Sequence, residues 1–182
     1  DGTDQSVQRK NIFLLKNGEN ICFWKGTHYL IQDEMLLEYI NKKECVEDKL
    51  ELWCNTNFKV QDKYDEIFLD LLKGLFKDEL MLYRLINNTS DNLKIRKVNE
   101  IFSIIKKNND ILIKIWEYSS SDFQVKMFER FFMDNLTQSD LIIRLWNVTS
   151  SIVQEEKFYF ISSIFEKNIE EQISFWKGTA ER

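Results

Sequence analysis

Residues 111–119 read ILIKIWEYS, residues 141–149 read LIIRLWNVT and residues 171–179 read EQISFWKGT. In each stretch an apolar run ends at a tryptophan, and a hydroxyl side chain follows three positions later. The three tryptophans lie 30 residues apart, at Trp116, Trp146 and Trp176. A fixed period of this length is typical of repeat proteins, in which each repeat forms one small structural unit.

The same pattern extends toward the N-terminus with small changes of spacing. Ile86 stands 30 residues before Trp116, Trp53 stands 33 residues before Ile86, and Trp24 stands 29 residues before Trp53. The repeat before Ile86 therefore has about three extra residues, which we expect near Gly74. The six repeat anchors are Trp24, Trp53, Ile86, Trp116, Trp146 and Trp176.

Each repeat reads as two helices. In the first half, apolar residues recur at spacings of three and four, as in Phe123, Met127, Phe128 and Phe131. The second half predicts a shorter helix that ends at the anchor. The chain contains no proline, and alternation of period two is hard to find. The sequence predicts an all-α fold, a right-handed stack of about five helical hairpins of about 30 residues each.

We expect residues 1–182 to form a single helical-repeat domain, with residues 1–10 flexible. The predicted repeats span 25–53, 54–86, 87–116, 117–146 and 147–176. The hydroxyls that follow the anchors, such as Thr149, are expected to cap the next helix. Ser121 with Gln124 and Ser151 with Gln154 read as capping boxes.

The pattern over residues 21–179 resembles helical-repeat solenoids, the class that includes HEAT, armadillo and tetratricopeptide arrays. Leu145-Trp146-Asn147 is similar to a segment common in armadillo repeats, although those repeats are longer. Tetratricopeptide repeats have a period of about 34 residues and a proline, which this chain lacks. The resemblance implies an αα superhelix, and it assigns no single family.

Composition limits the kinds of partner. Lys and Arg number 25 against 30 Asp and Glu, for a net charge of −5, so attraction to nucleic acid or to an anionic membrane is not expected. No apolar run is long enough for membrane insertion. The repeats show no recurring base-reading triplet, which argues against RNA binding. The oligomeric state is left open.

The sequence shows no catalytic constellation. His28 is the single histidine, and it is expected to have a structural role at the start of a helix. Cys45 could pair with His28 as a nucleophile, but no neighbour in the sequence would activate it. Nucleotide-binding glycine motifs are absent, so we expect no metal, no cofactor and no enzymatic activity.

Two sequence features bear on location, and they disagree. Three sparse cysteines suit a reducing compartment and favour the cytoplasm or nucleus. Four N-x-[S/T] sequons instead favour a secreted or exported protein, unless the repeat itself places Asn and Thr together. The sequons begin at Asn87, Asn88, Asn135 and Asn147.

A basic column lies two residues before successive anchors, at Arg84, Lys114 and Arg144. In a stack of repeats these side chains would form a stripe that could bind an acidic or phosphorylated peptide. The alternative is that Asp110 pairs with Lys114, and Asp140 with Arg144, as ordinary surface salt bridges within one helix.

Aromatic residues that depart from the repeat pattern are a second candidate surface. Tyr118, Phe132 and Tyr159 occupy positions where some other repeats have small or polar residues. Exposed aromatics are common anchors at interfaces, whereas the alternative is repacking near the end of the array. Side chains around Phe165, Phe175 and Trp176 are also expected to be partly exposed.

These patterns predict a non-enzymatic helical-repeat module for protein–protein interaction, part of a larger scaffold, adaptor or transport protein. Its partner would be a protein or an acidic or phosphorylated peptide. The alternative is a secreted or exported effector or surface protein of a parasite or intracellular bacterium that binds host proteins.

Overall fold

The computed structural model describes residues 7–8, 21–105, 108–135 and 137–164. Within these ranges every regular element is an α-helix, which confirms the predicted all-α class. The twelve helices that these ranges contain are α1 (Ile21–Gly26), α2 (Tyr29–Asn41), α3 (Val46–Cys54), α4 (Phe58–Gln61), α5 (Asp65–Leu75), α6 (Glu79–Asn87), α7 (Asp91–Arg96), α8 (Val98–Ile105), α9 (Asn109–Glu117), α10 (Ser121–Met133), α11 (Ser139–Asn147) and α12 (Ser151–Ile164).

The chain divides into two compact units, Asp1–Ile104 and Ile105–Arg182. In the first unit, α3 and α6 pack side by side, and α5 packs against both. The apolar residues of α5 recur at helical spacing and are buried, including Phe68 and Leu72 at 0% exposure. Burial of each such side chain contributes about 1.5–3 kcal/mol, which is why this amphipathic helix stays folded against its neighbours.

In the second unit, α9 packs against α11 and α10 packs against α12. The indole of Trp116 is fully buried against four phenylalanine rings of α10. The ring centroids lie 4.6 Å away for Phe131, 5.7 Å for Phe132, 6.4 Å for Phe123 and 6.5 Å for Phe128. The residues predicted to form the apolar face of this helix are therefore its core contacts.

The first helical segment is continuous in three repeats and interrupted in two others. It is one helix in α2, α10 and α12, whereas α4 and α5 are separated by residues 62–64, and α7 and α8 by Lys97. Residues 62–64 are not the extra residues of that repeat, because α5 and α8 each begin twelve residues after their anchors, Trp53 and Ile86. The start of α6 follows the start of α5 by 14 residues, whereas the start of α9 follows the start of α8 by 11. The three extra residues therefore lie in the stretch 65–79, which contains Gly74, in agreement with the prediction.

Several predictions concern residues outside the described ranges. They include the exposure of Phe165, Phe175 and Trp176, the anchor role of Trp176, and most of the flexible stretch 1–10. Among the helices described, none is long and apolar enough to cross a membrane.

Candidate functional site

A repeated hydrogen bond joins Trp24, Trp53 and Trp116 each to the hydroxyl that follows the next anchor. Trp24 Nε1 donates to Thr56 Oγ1 at 3.0 Å and Trp53 Nε1 donates to Thr89 Oγ1 at 2.9 Å. In the second unit, Trp116 Nε1 donates to Thr149 Oγ1 at 2.8 Å. These buried bonds connect residues 32, 36 and 33 positions apart, so each one ties one repeat to the following repeat.

The hydroxyls do not cap the next helix as predicted. Thr89 Oγ1 donates to Leu85 O at 2.6 Å and Thr149 Oγ1 donates to Leu145 O at 2.7 Å. Each hydroxyl thus donates to a carbonyl oxygen in the preceding turn of its own helix and accepts from the indole N–H of the preceding repeat. Capping is performed one residue later, where Ser120 Oγ accepts from Phe123 N at 3.1 Å.

A second repeated contact comes from a glutamine eight residues after the anchor. The amide nitrogen donates to the anchor's carbonyl oxygen in four repeats. The four bonds are Gln32 to Trp24 O at 2.7 Å, Gln61 to Trp53 O at 2.9 Å, Gln124 to Trp116 O at 2.8 Å and Gln154 to Trp146 O at 2.7 Å. The predicted capping boxes were wrong, because Ser121 and Ser151 are the first residues of α10 and α12 and not the residues that precede them.

The glutamine oxygen reaches the next repeat. Gln61 Oε1 accepts from Ser90 N at 2.9 Å, and Gln124 Oε1 accepts from Ser150 N at 2.9 Å. Gln32 Oε1 accepts from Asn57 N at 2.7 Å. We call the indole–hydroxyl and glutamine bonds together the ladder. Sequence reasoning missed the glutamines, although their constant spacing from the anchors was a visible signal.

Gln8 makes the same kind of bond near the N-terminus. Its Oε1 accepts from His28 N at 3.1 Å, and His28 stands four residues after Trp24, as Asn57 does after Trp53. The described part of the N-terminal segment thus uses the same contact as the later glutamines.

The anchor at Ile86 changes both ladder residues. Isoleucine has no indole N–H, and the glutamine position is occupied by Lys94, which is 2% exposed. Lys94 Nζ lies 3.0 Å from Ile86 O and 2.7 Å from Asp91 Oδ1. Burial lowers the pKa of the Lys94 ammonium, and the hydrogen bond to Asp91 opposes that shift. Lysine can replace the glutamine donor but has no acceptor.

The basic column is only partly available for binding. Arg84 is exposed and forms no ion pair with the residues that the structure describes. Lys114 is half-buried. Arg144 Nη2 pairs with Asp110 Oδ1 at 2.6 Å, in the repeat before its own, instead of with the expected Asp140. Both side chains of that pair are more than half exposed, so it contributes little stability.

The three aromatic candidates have different environments. Tyr159 is 85% exposed on α12, as an interface anchor would be. Phe132 is fully buried and stacks on Phe128 at 4.2 Å between ring centroids, so it is a core residue and not an exposed anchor. Tyr118 is half-buried at the C-terminal end of α9.

The reactive side chains described by the structure have local structural roles. His28 Nδ1 accepts from Leu30 N at 3.3 Å at the start of α2. Cys45 Sγ accepts from Asp48 N at 3.4 Å at the start of α3. Burial raises the pKa of the Cys54 thiol to about 11, which disfavours its thiolate. Within the described ranges, no three His, Cys, Asp or Glu side chains are grouped so that they could hold a metal ion.

Comparison with known proteins adds no assignment. No family model, no curated protein and no solved structure matches the chain.

Proposed function

We propose that the chain is a non-enzymatic helical-repeat module for protein–protein interaction within a scaffold, adaptor or transport protein. Its architecture would be a right-handed α-solenoid of about five helical hairpins, stacked in sequence order. We also propose that the chain is located in the cytoplasm or the nucleus.

The observation that carries the proposal is the contrast between a repeated interior and a variable surface. The indole–hydroxyl bonds of Trp24, Trp53 and Trp116 are 2.8–3.0 Å long, and the four bonds from a glutamine to its tryptophan anchor are 2.7–2.9 Å long. The outward-facing residue two positions before the anchor instead differs between repeats in its charge. This position is occupied by Glu51, Arg84, Lys114 and Arg144 in successive repeats. A scaffold needs an interior that holds each repeat against the next, while its surface differs to fit a partner.

The polar groups also have structural partners that fit a scaffold. His28 and Cys45 each accept a backbone N–H at a helix start, so each side chain has a local structural role. The buried Gln61 and Thr89 are fully engaged in the ladder.

The secreted or exported effector remains a second prediction. The ladder gives a structural reason for part of its sequon signal, because Thr89 and Thr149 are needed as indole acceptors. A leader peptide in the gene, or glycans on Asn135 or Asn147, would favour this alternative.

The test is quantitative affinity capture from the native lysate with three baits. These are the wild-type chain, the triple variant Arg84→Glu/Lys114→Glu/Arg144→Glu, and Tyr159→Ser. All substituted side chains lie at least partly on the surface, so circular dichroism should show the same helix content for each bait. We expect wild type to retain a protein in stoichiometric amount and at least one variant to lose it. Failure of wild type to retain any specific protein would contradict the proposal.

A further inference from the structure

Thr27 occupies the hydroxyl position of the ladder, three residues after the Trp24 anchor. Its Oγ1 donates to Phe23 O at 2.8 Å, just as Thr56 Oγ1 donates to Leu52 O at 2.8 Å. Each hydroxyl gives its only proton to a carbonyl oxygen four residues earlier, and its oxygen can still accept a hydrogen bond. Thr27 therefore has the same donor contact as the later ladder hydroxyls.

The acceptor side of Thr27 differs from that of the other hydroxyls in the first unit. Thr56 accepts from the indole of Trp24 at 3.0 Å, and Thr89 accepts from the indole of Trp53 at 2.9 Å. Among the residues that the structure describes, none donates to Thr27 Oγ1, although Thr27 is only 7% exposed. A buried hydroxyl oxygen with an unused lone pair is a site for a hydrogen-bond donor.

The glutamine half of the ladder is already present beside this hydroxyl. Gln8 Oε1 accepts at 3.1 Å from the N–H of His28, the residue that follows Thr27. The same bond joins Asn57 N to Gln32 Oε1 at 2.7 Å. Gln8 therefore occupies the place of a ladder glutamine whose own anchor lies earlier in the protein.

The spacing of the repeats gives the position of that anchor. In four repeats the glutamine follows its tryptophan anchor by eight residues. The anchor of Gln8 accordingly stands directly before Asp1. Residues 1–3 then read DGT, and residues 25–27, which follow the Trp24 anchor, read KGT, with threonine at the hydroxyl position in both. The glutamine and the threonine thus agree on one register.

We infer that the Thr27 surface, formed by Gln8, Thr27 and His28, binds a further helical repeat whose second helix ends at a tryptophan directly before Asp1. The indole N–H of this tryptophan donates to Thr27 Oγ1. This bond repeats the one from Trp24 to Thr56, and it satisfies the buried hydroxyl oxygen. The inference goes beyond the proposed function, because it concerns how the array continues and not what the module captures.

The test joins a copy of residues 117–146 to the full chain, directly before Asp1. The copied segment contains α10 and ends at the Trp146 anchor, so the copied tryptophan takes the predicted position. A double-mutant cycle combines Thr27→Val with replacement of the copied tryptophan by Phe, and urea unfolding measures each variant. We expect the two substitutions to be non-additive by about tenfold in the equilibrium constant for unfolding.

The control cycle combines Thr56→Val with the same replacement of the copied tryptophan, because Thr56 accepts from Trp24 instead. Thr27 and Thr56 both donate to a carbonyl oxygen four residues earlier, so both substitutions remove the same donor contact. The control should be additive to within about twofold. Additive effects in both cycles overturn the inference, provided that circular dichroism shows added helix in the extended chain.

The native protein supplies a second measurement that does not depend on the copied repeat. Mass spectrometry of its peptides should find tryptophan directly before Asp1. It should also find an acidic residue six positions before that tryptophan, as Glu47 and Asp140 precede Trp53 and Trp146. A residue other than tryptophan directly before Asp1, or a native chain that begins at Asp1, overturns the inference.

Discussion

Gln61 offers the most direct perturbation of the ladder by one side chain. Its side chain is 0% exposed. Its amide nitrogen donates to Trp53 O at 2.9 Å, Thr56 O at 3.2 Å and Asn88 O at 2.9 Å. Its oxygen accepts from Ser90 N at 2.9 Å.

Replacement of Gln61 by Met keeps a similar volume but removes every polar atom. In this variant Trp53 O still accepts from Thr56 N at 3.0 Å, so this carbonyl loses only one of its two hydrogen bonds. Asn88 O and Ser90 N lose the partner that the glutamine supplied, and a buried polar group without its partner costs about 1–3 kcal/mol. Gln61→Met should therefore lower the free energy of unfolding by about 2–5 kcal/mol, a large part of the stability of an ordinary domain.

Urea unfolding followed by circular dichroism measures this loss, and Gln138→Met is the matched control. Gln138 is exposed and bonds to Asn109 at 3.1 Å and Asn135 at 3.3 Å, both in contact with solvent. The control should change the free energy of unfolding by no more than about 0.5 kcal/mol. The reasoning is refuted if Gln61→Met is as mild as Gln138→Met.

Two other substituted or modified sites give independent tests. The pKa of Lys94 is lowered from 10.5 by burial, so its charge opposes folding below the folded-state pKa, and this penalty fades as pH rises toward 10.5. Lys94→Gln should therefore raise the free energy of unfolding by about 1 kcal/mol at neutral pH and by a smaller amount at alkaline pH. Urea unfolding at both pH values measures this change, and a lower urea midpoint for the variant at neutral pH would contradict it. In a Cys22→Ser background, Cys54, whose pKa is about 11, should react with iodoacetamide at least about tenfold more slowly than the exposed Cys45. Peptide mass spectrometry measures both rates, and equal rates would show that the Cys54 thiol is not protected.

Periodicity was sufficient to predict the all-α class and the burial of the five anchors that the structure describes. The apolar spacing around Trp116 and Phe131 predicts two helices, and these residues are buried where the pattern placed them. Periodicity cannot say which polar atom a side chain will bond, because several donors lie within reach of one hydroxyl. The Thr149 hydroxyl accepts from the indole of Trp116 and donates to Leu145 O in its own helix, so it does not form the predicted cap.

The candidate surfaces were harder to predict, because exposure depends on contacts between distant residues. Phe132 departs from the repeat pattern and yet lies in the core, since α10 surrounds Trp116 with phenylalanine rings. Arg144 has an acid four residues earlier, but its ion pair is with Asp110, 34 residues away. Spacing within one helix could not distinguish these outcomes.

We expect the indole–hydroxyl bonds of Trp24, Trp53 and Trp116 each to hold one repeat against the next. A double-mutant cycle of Trp53→Phe with Thr89→Val measures the coupling across the 2.9 Å bond in the first unit, free of each substitution's other effects. Trp24→Phe with Thr89→Val is the control cycle, because Trp24 bonds to Thr56 instead. We predict a coupling of about 1–2 kcal/mol for Trp53 with Thr89 and about zero for the control. A coupling near zero in both cycles would contradict the claim.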